Sequence, residues 1–203
     1  MKQIANYINE KLHVTSKSFY TCQPKTKDEL REIIIQCIKE YGPKCDLNDI
    51  DVSKITDMSE LFNAGEYDIF KDFNGDISQW NVSNVVNMCR MFYGCKKFNG
   101  DLSRWNVSNV TDMGYMFNNC CEFNCDISRW NVSNVKNMKL MFNYCEHFNC
   151  DISQWDVSNV ENIERMFYQC GQFNCDISKW NVSNVKNMIF TFWNCPTQPK
   201  WYK

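Results

Sequence analysis

Residue types on which most enzymes depend are scarce in this 203-residue sequence. It has two histidines, His13 and His147, and seven glycines. His13 precedes the repeats described below and His147 stands at a variable loop position, so no Cys-His or Ser-His-Asp arrangement is indicated. No glycine-rich loop of the kind that binds phosphate is present. We therefore expect a protein that is not an enzyme and that uses no cofactor.

Long apolar runs and an excess of one charge are also missing. No stretch approaches the ~20 apolar residues of a membrane span, and the first residues have neither a secretory signal nor the lipobox of a lipoprotein. The formal net charge is −2, from 22 Lys and Arg against 24 Asp and Glu. This balance favours neither nucleic acid nor an anionic membrane as a partner. The chain as given therefore indicates a cytoplasmic protein by default.

What the sequence has in abundance is repetition. The motif D-I-S-Q-W-N-V-S-N-V begins at Asp76 and returns every 25 residues, and a cysteine follows each tryptophan by fifteen residues. The tryptophans are Trp80, Trp105, Trp130, Trp155 and Trp180, and the cysteines are Cys95, Cys120, Cys145, Cys170 and Cys195. A fixed period of this length is typical of solenoid proteins.

Two hydrophobic periodicities alternate within each repeat. The pattern I-x-x-W-x-V from Ile77 indicates a short strand, with the side chains of Trp80 and Val82 inward and their neighbours outward. The spacing from Val85 to Cys95 is helical, and Ser83 stands where an N-cap hydroxyl is needed. We therefore predict an α/β repeat solenoid in which successive strands form a parallel ladder.

An N-terminal helical cap is predicted before the repeats. T-K-D-E from Thr26 is a capping box, and an apolar stripe follows it as far as Tyr41. An earlier amphipathic pattern consists of Ile4, Ile8 and Leu12. The predicted divisions are a cap over residues 1–44, a solenoid of one degenerate and five regular repeats over 45–195, and a tail over 196–203. Five extra residues, Glu66 to Phe70, are expected to form a bulging loop.

The motifs P-K-T-K-D-E-L-R-E-I-I and F-N-x-D-I-S-x-W-N-V-S-N-V-x-N-M-x-x-M-F-x-x-C resemble the BspA-like leucine-rich repeat family, in its subgroup first known from mycoplasma surface proteins. The similarity extends over roughly Pro24 to Cys195. It implies a right-handed leucine-rich-repeat solenoid with strands on the concave side and short helices on the convex side. It also implies adhesion or host contact by a surface or secreted protein.

One outward column varies while its neighbours repeat, and it is the predicted binding stripe. This polar column consists of Gln79, Arg104, Arg129, Gln154 and Lys179. Beside it is the Asn column, Asn81, Asn106, Asn131, Asp156 and Asn181. Three positive charges and no negative one suggest that the polar column docks an acidic or amide-rich protein segment, although any solvated strand face also needs long polar side chains. We predict a non-catalytic protein–protein interaction module.

Two further columns have competing interpretations. The N-V-S sequons of the Asn column are potential glycan acceptors, but a ladder of amides hydrogen-bonded between coils explains their repetition better. The Asp column consists of Asp76, Asp101, Asp126, Asp151 and Asp176. Calcium needs six or more oxygen ligands, whereas each repeat supplies one fixed carboxylate. Turn capping by an Asx-type hydrogen bond is the preferred interpretation.

Thirteen cysteines are present, and an odd number leaves at least one unpaired within the chain. Cys125, Cys150 and Cys175 form a second column in the later repeats. A stacked column diverges along the axis and contains no C-x2-C hook, so no metal site is expected. We expect mostly reduced thiols; a thiol-dependent or metal-dependent protein is the alternative.

The last repeat is unusually aromatic. Its apolar residues and those of the tail are Ile189, Phe190, Trp193, Trp201 and Tyr202. Two arrangements would cover this end: a tail that folds back as a minimal cap, or a two-fold dimer in which two chains meet end to end. We predict the homodimer, which makes a structural or assembly unit the alternative function.

Overall fold

The predicted leucine-rich-repeat solenoid is wrong. In a computed structural model that describes residues 22–203, the regular elements are one α-helix, α1 (Lys27–Tyr41), and one 3-10 turn, Asp68–Phe70, and no strand is present in that part of the chain. The parallel strand ladder of a concave side and the short helices of a convex side are therefore both absent from it. The pattern at Ile4, Ile8 and Leu12 lies outside the described residues.

The predicted capping box does begin a helix. The side chain of Thr26 accepts a hydrogen bond from the N–H of Glu29 at 3.2 Å, and the Glu29 carboxylate accepts one from the N–H of Lys25 at 2.7 Å. The apolar stripe of α1 is buried, with Leu30 among its members. The helix ends at Gly42, whose φ of 83° lies in the left-handed region that glycine adopts without strain. This helix prediction is confirmed.

Instead of strands and helices, the repeats form a stack of irregular coils built from turns. We number them coil 1 (residues 43–72), coil 2 (73–97), coil 3 (98–122), coil 4 (123–147), coil 5 (148–172) and coil 6 (173–195). The N–H groups of Met88, Arg90 and Phe92 donate to carbonyls 24 residues further on, each at 2.9 Å. Equivalent bonds join every successive pair of coils, so backbone hydrogen bonds hold the stack together.

Tight turns explain why the predicted strands do not form. Inside the I-x-x-W-x-V motif the N–H of Trp80 donates to the carbonyl of Ile77, and Val85 donates likewise to Val82. Such bonds to the third residue back bend the chain, so pairing with the next coil is reduced to isolated parallel bridges such as Asn87 with Asp112. The predicted orientation is nevertheless confirmed, because the tryptophans are buried and the polar column is exposed.

Left-handed backbone explains why the predicted helices do not form. Two positions in each regular coil have positive φ. The first comprises Arg90, Tyr115, Leu140, Arg165 and Phe190, and the second comprises Gly94, Asn119, Tyr144, Gln169 and Asn194. A right-handed helix cannot continue through either position. The N-cap role predicted for Ser83 is wrong for the same reason; its N–H donates to the side chain of Asn81 at 3.2 Å.

Aromatic columns fill the core. Phe142 of coil 4 is fully buried, and its ring centroid lies 3.9 Å from that of Phe148 and 5.8 Å from those of Phe117 and Phe167. The five tryptophans of the repeated motif each donate the indole N–H to a carbonyl of the preceding coil, as Trp130 does to Leu102 at 3.0 Å. The only polar group of the buried indole is therefore satisfied, and it ties two coils together.

The insertion near the end of coil 1, Glu66 to Phe70, does not simply bulge outward as predicted. Its 3-10 turn places Phe70 at 0% exposure, with the ring centroid 5.5 Å from that of Phe62. The extra residues therefore contribute to the core rather than only to the surface.

Replacing Leu140 by a β-branched residue tests the left-handed turn. Leu140 has φ 52°, a region that valine enters at high cost and that asparagine tolerates. We expect Leu140→Val to lower the free energy of unfolding by about 1–3 kcal/mol and Leu140→Asn to lower it by less. Urea denaturation of both variants measures the difference. Equal losses of unfolding free energy in the two variants would contradict a left-handed backbone at Leu140.

Candidate interaction surfaces

The Asp column caps turns, as predicted. Oδ1 of Asp101 accepts a hydrogen bond from the N–H of Ser103 at 2.9 Å, and each of the other four members accepts the equivalent bond at 3.0 Å. Hydrogen bonds from Ser103 lower the pKa of Asp101 below its ordinary value. These carboxylates are therefore committed to the backbone of their own coil.

The Asn column makes the same kind of turn instead of the predicted ladder between coils. Oδ1 of Asn106 accepts from the N–H of Ser108 at 3.1 Å, within one coil. Amides of a neighbouring column form the ladder instead: Nδ2 of Asn134 donates to the carbonyl of Ser108 in the preceding coil at 2.7 Å. The repetition of asparagine thus reflects two separate structural tasks.

The polar column lies on the surface with its cations beside the Asp column. All five members are exposed. Among the ion pairs of residues 22–203, none involves Arg104, Arg129 or Lys179. Arg104 nevertheless contributes to the lowered pKa of Asp101, so positive and negative columns run side by side. Binding by the polar column stays a prediction, although the strand ladder on whose concave side the resemblance placed such a column is absent from residues 22–203.

An exposed aromatic cluster, which sequence reasoning mostly missed, crosses coils 4 to 6. We call it the aromatic patch; its members are Tyr144, Arg165, Tyr168, Phe190 and Trp193. The ring centroid of Tyr168 lies 5.6 Å from that of Tyr144 and 6.5 Å from that of Trp193. The guanidinium of Arg165 lies 5.8 Å from the Tyr168 ring and 5.6 Å from the Phe190 ring. Aromatic and arginine side chains thus form one continuous surface.

The tail folds back on coil 6. The indole N–H of Trp201 donates to the carbonyl of Ile177 at 3.1 Å, and the Tyr202 ring lies 5.0 Å from that of Phe192. Ile189 and Trp193 stay 60% and 54% exposed. Of the two arrangements considered for this end, the structure contains the minimal cap, and the homodimer stays a prediction.

All thirteen cysteines lie within the described residues and are free thiols. Cys145 is fully buried and donates its S–H to the carbonyl of Phe117 in the preceding coil at 2.9 Å. Burial raises the pKa of this thiol well above its ordinary value. In the second cysteine column the sulfur of Cys125 accepts a hydrogen bond from the N–H of Leu102 at 3.1 Å. Within residues 22–203 no three potential metal ligands cluster.

Comparison with known proteins gives one match. A family model described as "Mycoplasma protein of unknown function, DUF285" matches residues 34–144 and 104–200. No curated protein and no solved structure matches the chain. Within residues 22–203, no helix has the length and apolar character needed to cross a membrane.

Proposed function

We propose that this chain, which belongs to the DUF285 family of mycoplasma proteins of unknown function, is a non-catalytic protein–protein interaction module. The two family matches overlap and together cover most of the chain. The finer resemblance of its motifs to BspA-like proteins supports a partner met at a cell surface, in adhesion or host contact. That step is an analogy between sequences and does not involve the fold.

The aromatic patch is the observation that carries this proposal. Tyrosine, tryptophan and arginine are the residues that most often dominate binding energy at protein interfaces. Backbone hydrogen bonds such as that from the N–H of Gln169 to the carbonyl of Trp193, 2.8 Å long, hold adjacent coils in register. A partner therefore meets side chains that are already positioned, which reduces the entropy lost on binding.

The polar column provides a second surface for the same function. Arg104, Arg129 and Lys179 have no ion-pair partner among residues 22–203, so they are available to carboxylates of another chain. Exposed charges of this kind contribute more to the rate of association than to affinity. We therefore expect the partner to be acidic or amide-rich where it contacts this column.

A structural or assembly unit is the second candidate. The exposed side chains of Ile189, Phe190 and Trp193 lie together at the last coil and favour it. Sedimentation at tens of micromolar distinguishes the two functions, because a two-fold dimer that covers these residues sediments as twice the monomer mass.

Substitution within the aromatic patch tests the binding function. We expect Trp193→Ala and Arg165→Glu each to lower the affinity for a captured partner at least about tenfold. Central aromatic and arginine contacts are commonly worth more than about 1 kcal/mol. The partner is first captured from membrane and whole-cell extracts and then titrated as a purified protein. Circular dichroism confirms that each variant is folded.

Two comparisons make the result specific. Val86 is an exposed apolar residue outside the patch, so Val86→Ala is expected to leave the affinity unchanged. Charge reversal of Arg104, Arg129 and Lys179 together is expected to slow association and to reduce its dependence on salt. Unchanged affinity in both patch variants would refute the proposed function.

A further inference from the structure

The last coil has an unpaired row of backbone donors. In every earlier coil four N–H groups of this segment, spaced two residues apart, donate to carbonyls of the following coil, as those of Ile163, Arg165, Phe167 and Gln169 do at 2.8–3.0 Å. Their equivalents in coil 6 are the N–H groups of Met188, Phe190, Phe192 and Asn194. Within residues 22–203 none of these four has a hydrogen-bond partner. We call this row the open edge.

The tail occupies part of the place that a following coil would take. Its Trp201 indole donates to the carbonyl of Ile177 at 3.1 Å, and the five motif tryptophans, one in each of coils 2 to 6, make the equivalent bond at 3.0–3.2 Å. Trp201 therefore occupies the position that the tryptophan of a following coil would take. The tail does not supply the carbonyls that the open edge lacks, and it leaves a cavity of about 230 Å³ beside Phe173 and Pro199.

Hydrogen-bond polarity identifies the kind of partner. When the open edges of two copies of this chain meet, donors face donors, so these four N–H groups stay unpaired. The acceptor side of coil 1 is also covered, because α1 packs there and the ammonium of Lys27 contacts Asp57 and Ser59 at 2.8 Å each. The complementary surface is the uncovered acceptor side of a coil in a different chain.

We propose that the open edge is a docking site for a coil of this repeat from another protein, whose tryptophan displaces Trp201 and whose carbonyls accept from the four N–H groups. The five junctions within the stack are its templates, since each combines the same backbone bonds with one indole bond. Addition of a chain to an unpaired backbone edge is a recurrent mode of recognition. This site uses backbone N–H groups, whereas the adjoining aromatic patch uses side chains.

A synthetic peptide of residues 98–122, which form coil 3, is the probe. Amide hydrogen exchange of the full isotope-labelled chain is followed by NMR, with the peptide and with a scrambled peptide of the same composition. We expect the amides of Met188, Phe190 and Asn194 to exchange at least about tenfold more slowly with the native peptide only. The amides of Ile163 and Arg165, already bonded to coil 6, are the internal controls and should not change.

Competition by the tail is tested with the double variant Trp201→Ala and Tyr202→Ala in the full chain. Removing the stand-in indole is expected to tighten peptide binding at least about tenfold. Binding by the double variant alone also supports the proposal, because it places the tail in competition with the peptide. Absence of protection in both proteins at millimolar peptide, or binding that leaves the open-edge amides unchanged, would overturn it. The patch variant Arg165→Glu changes a side chain of coil 5, away from the open edge, and should weaken binding to a partner of the aromatic patch but not to this peptide. Loss of one binding site is therefore distinguishable from loss of the other.

Discussion

Raising the pH from about 8 to about 10 is expected to destabilise the fold by several kcal/mol. Burial raises the pKa values of four thiols well above their ordinary value of 9.0. They are Cys95, Cys120, Cys145 and Cys170. In the unfolded chain these thiols ionise near pH 9, whereas in the folded protein they stay protonated. The stability they contribute is complete below pH 9 and is lost as the pH rises above it.

The size of the alkaline effect follows from proton linkage. At pH 10 each of the four thiols favours the unfolded state by roughly 1–2 kcal/mol, and together they favour it by several kcal/mol. That loss is comparable to the whole free energy of unfolding of a typical domain, about 5–15 kcal/mol. Urea denaturation at several pH values, with reductant present, measures it. A stability that stays constant across this range would contradict the role of the buried thiols.

A serine in place of one cysteine isolates the contribution of a single thiol. Cys145→Ser keeps a donor for the carbonyl of Phe117 but does not ionise in this pH range. The variant should therefore be less stable than the parent at pH 8, and its free energy of unfolding should fall by roughly 1–2 kcal/mol less between pH 8 and pH 10. Other titrating groups are the same in both proteins, so the difference reports the thiol alone.

Replacing Phe142 by alanine is expected to lower the free energy of unfolding by about 3–5 kcal/mol. Phe142 is fully buried and stacks on Phe117 of coil 3 and on Phe148 and Phe167 of coil 5. The coils on either side are held by the backbone, so we expect them to leave a cavity rather than collapse into it. Urea denaturation of Phe142→Ala measures the loss.

Tyr144, two residues along, provides the matched control. Its side chain is 43% exposed and belongs to the aromatic patch. Tyr144→Ala is expected to change the free energy of unfolding by less than about 1 kcal/mol. Similar losses of unfolding free energy in Phe142→Ala and Tyr144→Ala would show that the column of stacked phenylalanine rings does not dominate the stability.

The repeat length and the inward or outward direction of most side chains were predictable from sequence, whereas the path of the backbone was not. Burial depends on the alternation of apolar and polar residues, which is visible in W-N-V. The turn direction at Leu140 and Arg165 is not visible, because these residues adopt positive φ without being glycine or asparagine. The second left-handed position did carry a signal, in Gly94, Asn119 and Asn194. The helical spacing of apolar residues concealed that signal.

The aromatic patch was predictable only in part, because it too depends on the path of the backbone. Phe190 and Trp193 attracted notice because they break the pattern of the last repeat. Tyr144 and Tyr168 occupy neighbouring columns of different coils, and their rings meet only because left-handed turns bring those columns side by side. The polar column was recognised because it lies in the motif that repeats most closely.

The hydrogen bonds between coils run in fixed directions, and this limits how such a chain evolves. The motif tryptophan and the buried cysteine of a coil donate backward, as Trp155 and Cys170 do, whereas the four N–H groups between Ile163 and Gln169 and their equivalents donate forward. Because each junction offers the same contacts, duplicating or losing one 25-residue unit leaves the register of all others intact. Gene duplication can therefore change the length of the stack in whole units, while α1 contacts coil 1 and Trp201 contacts coil 6.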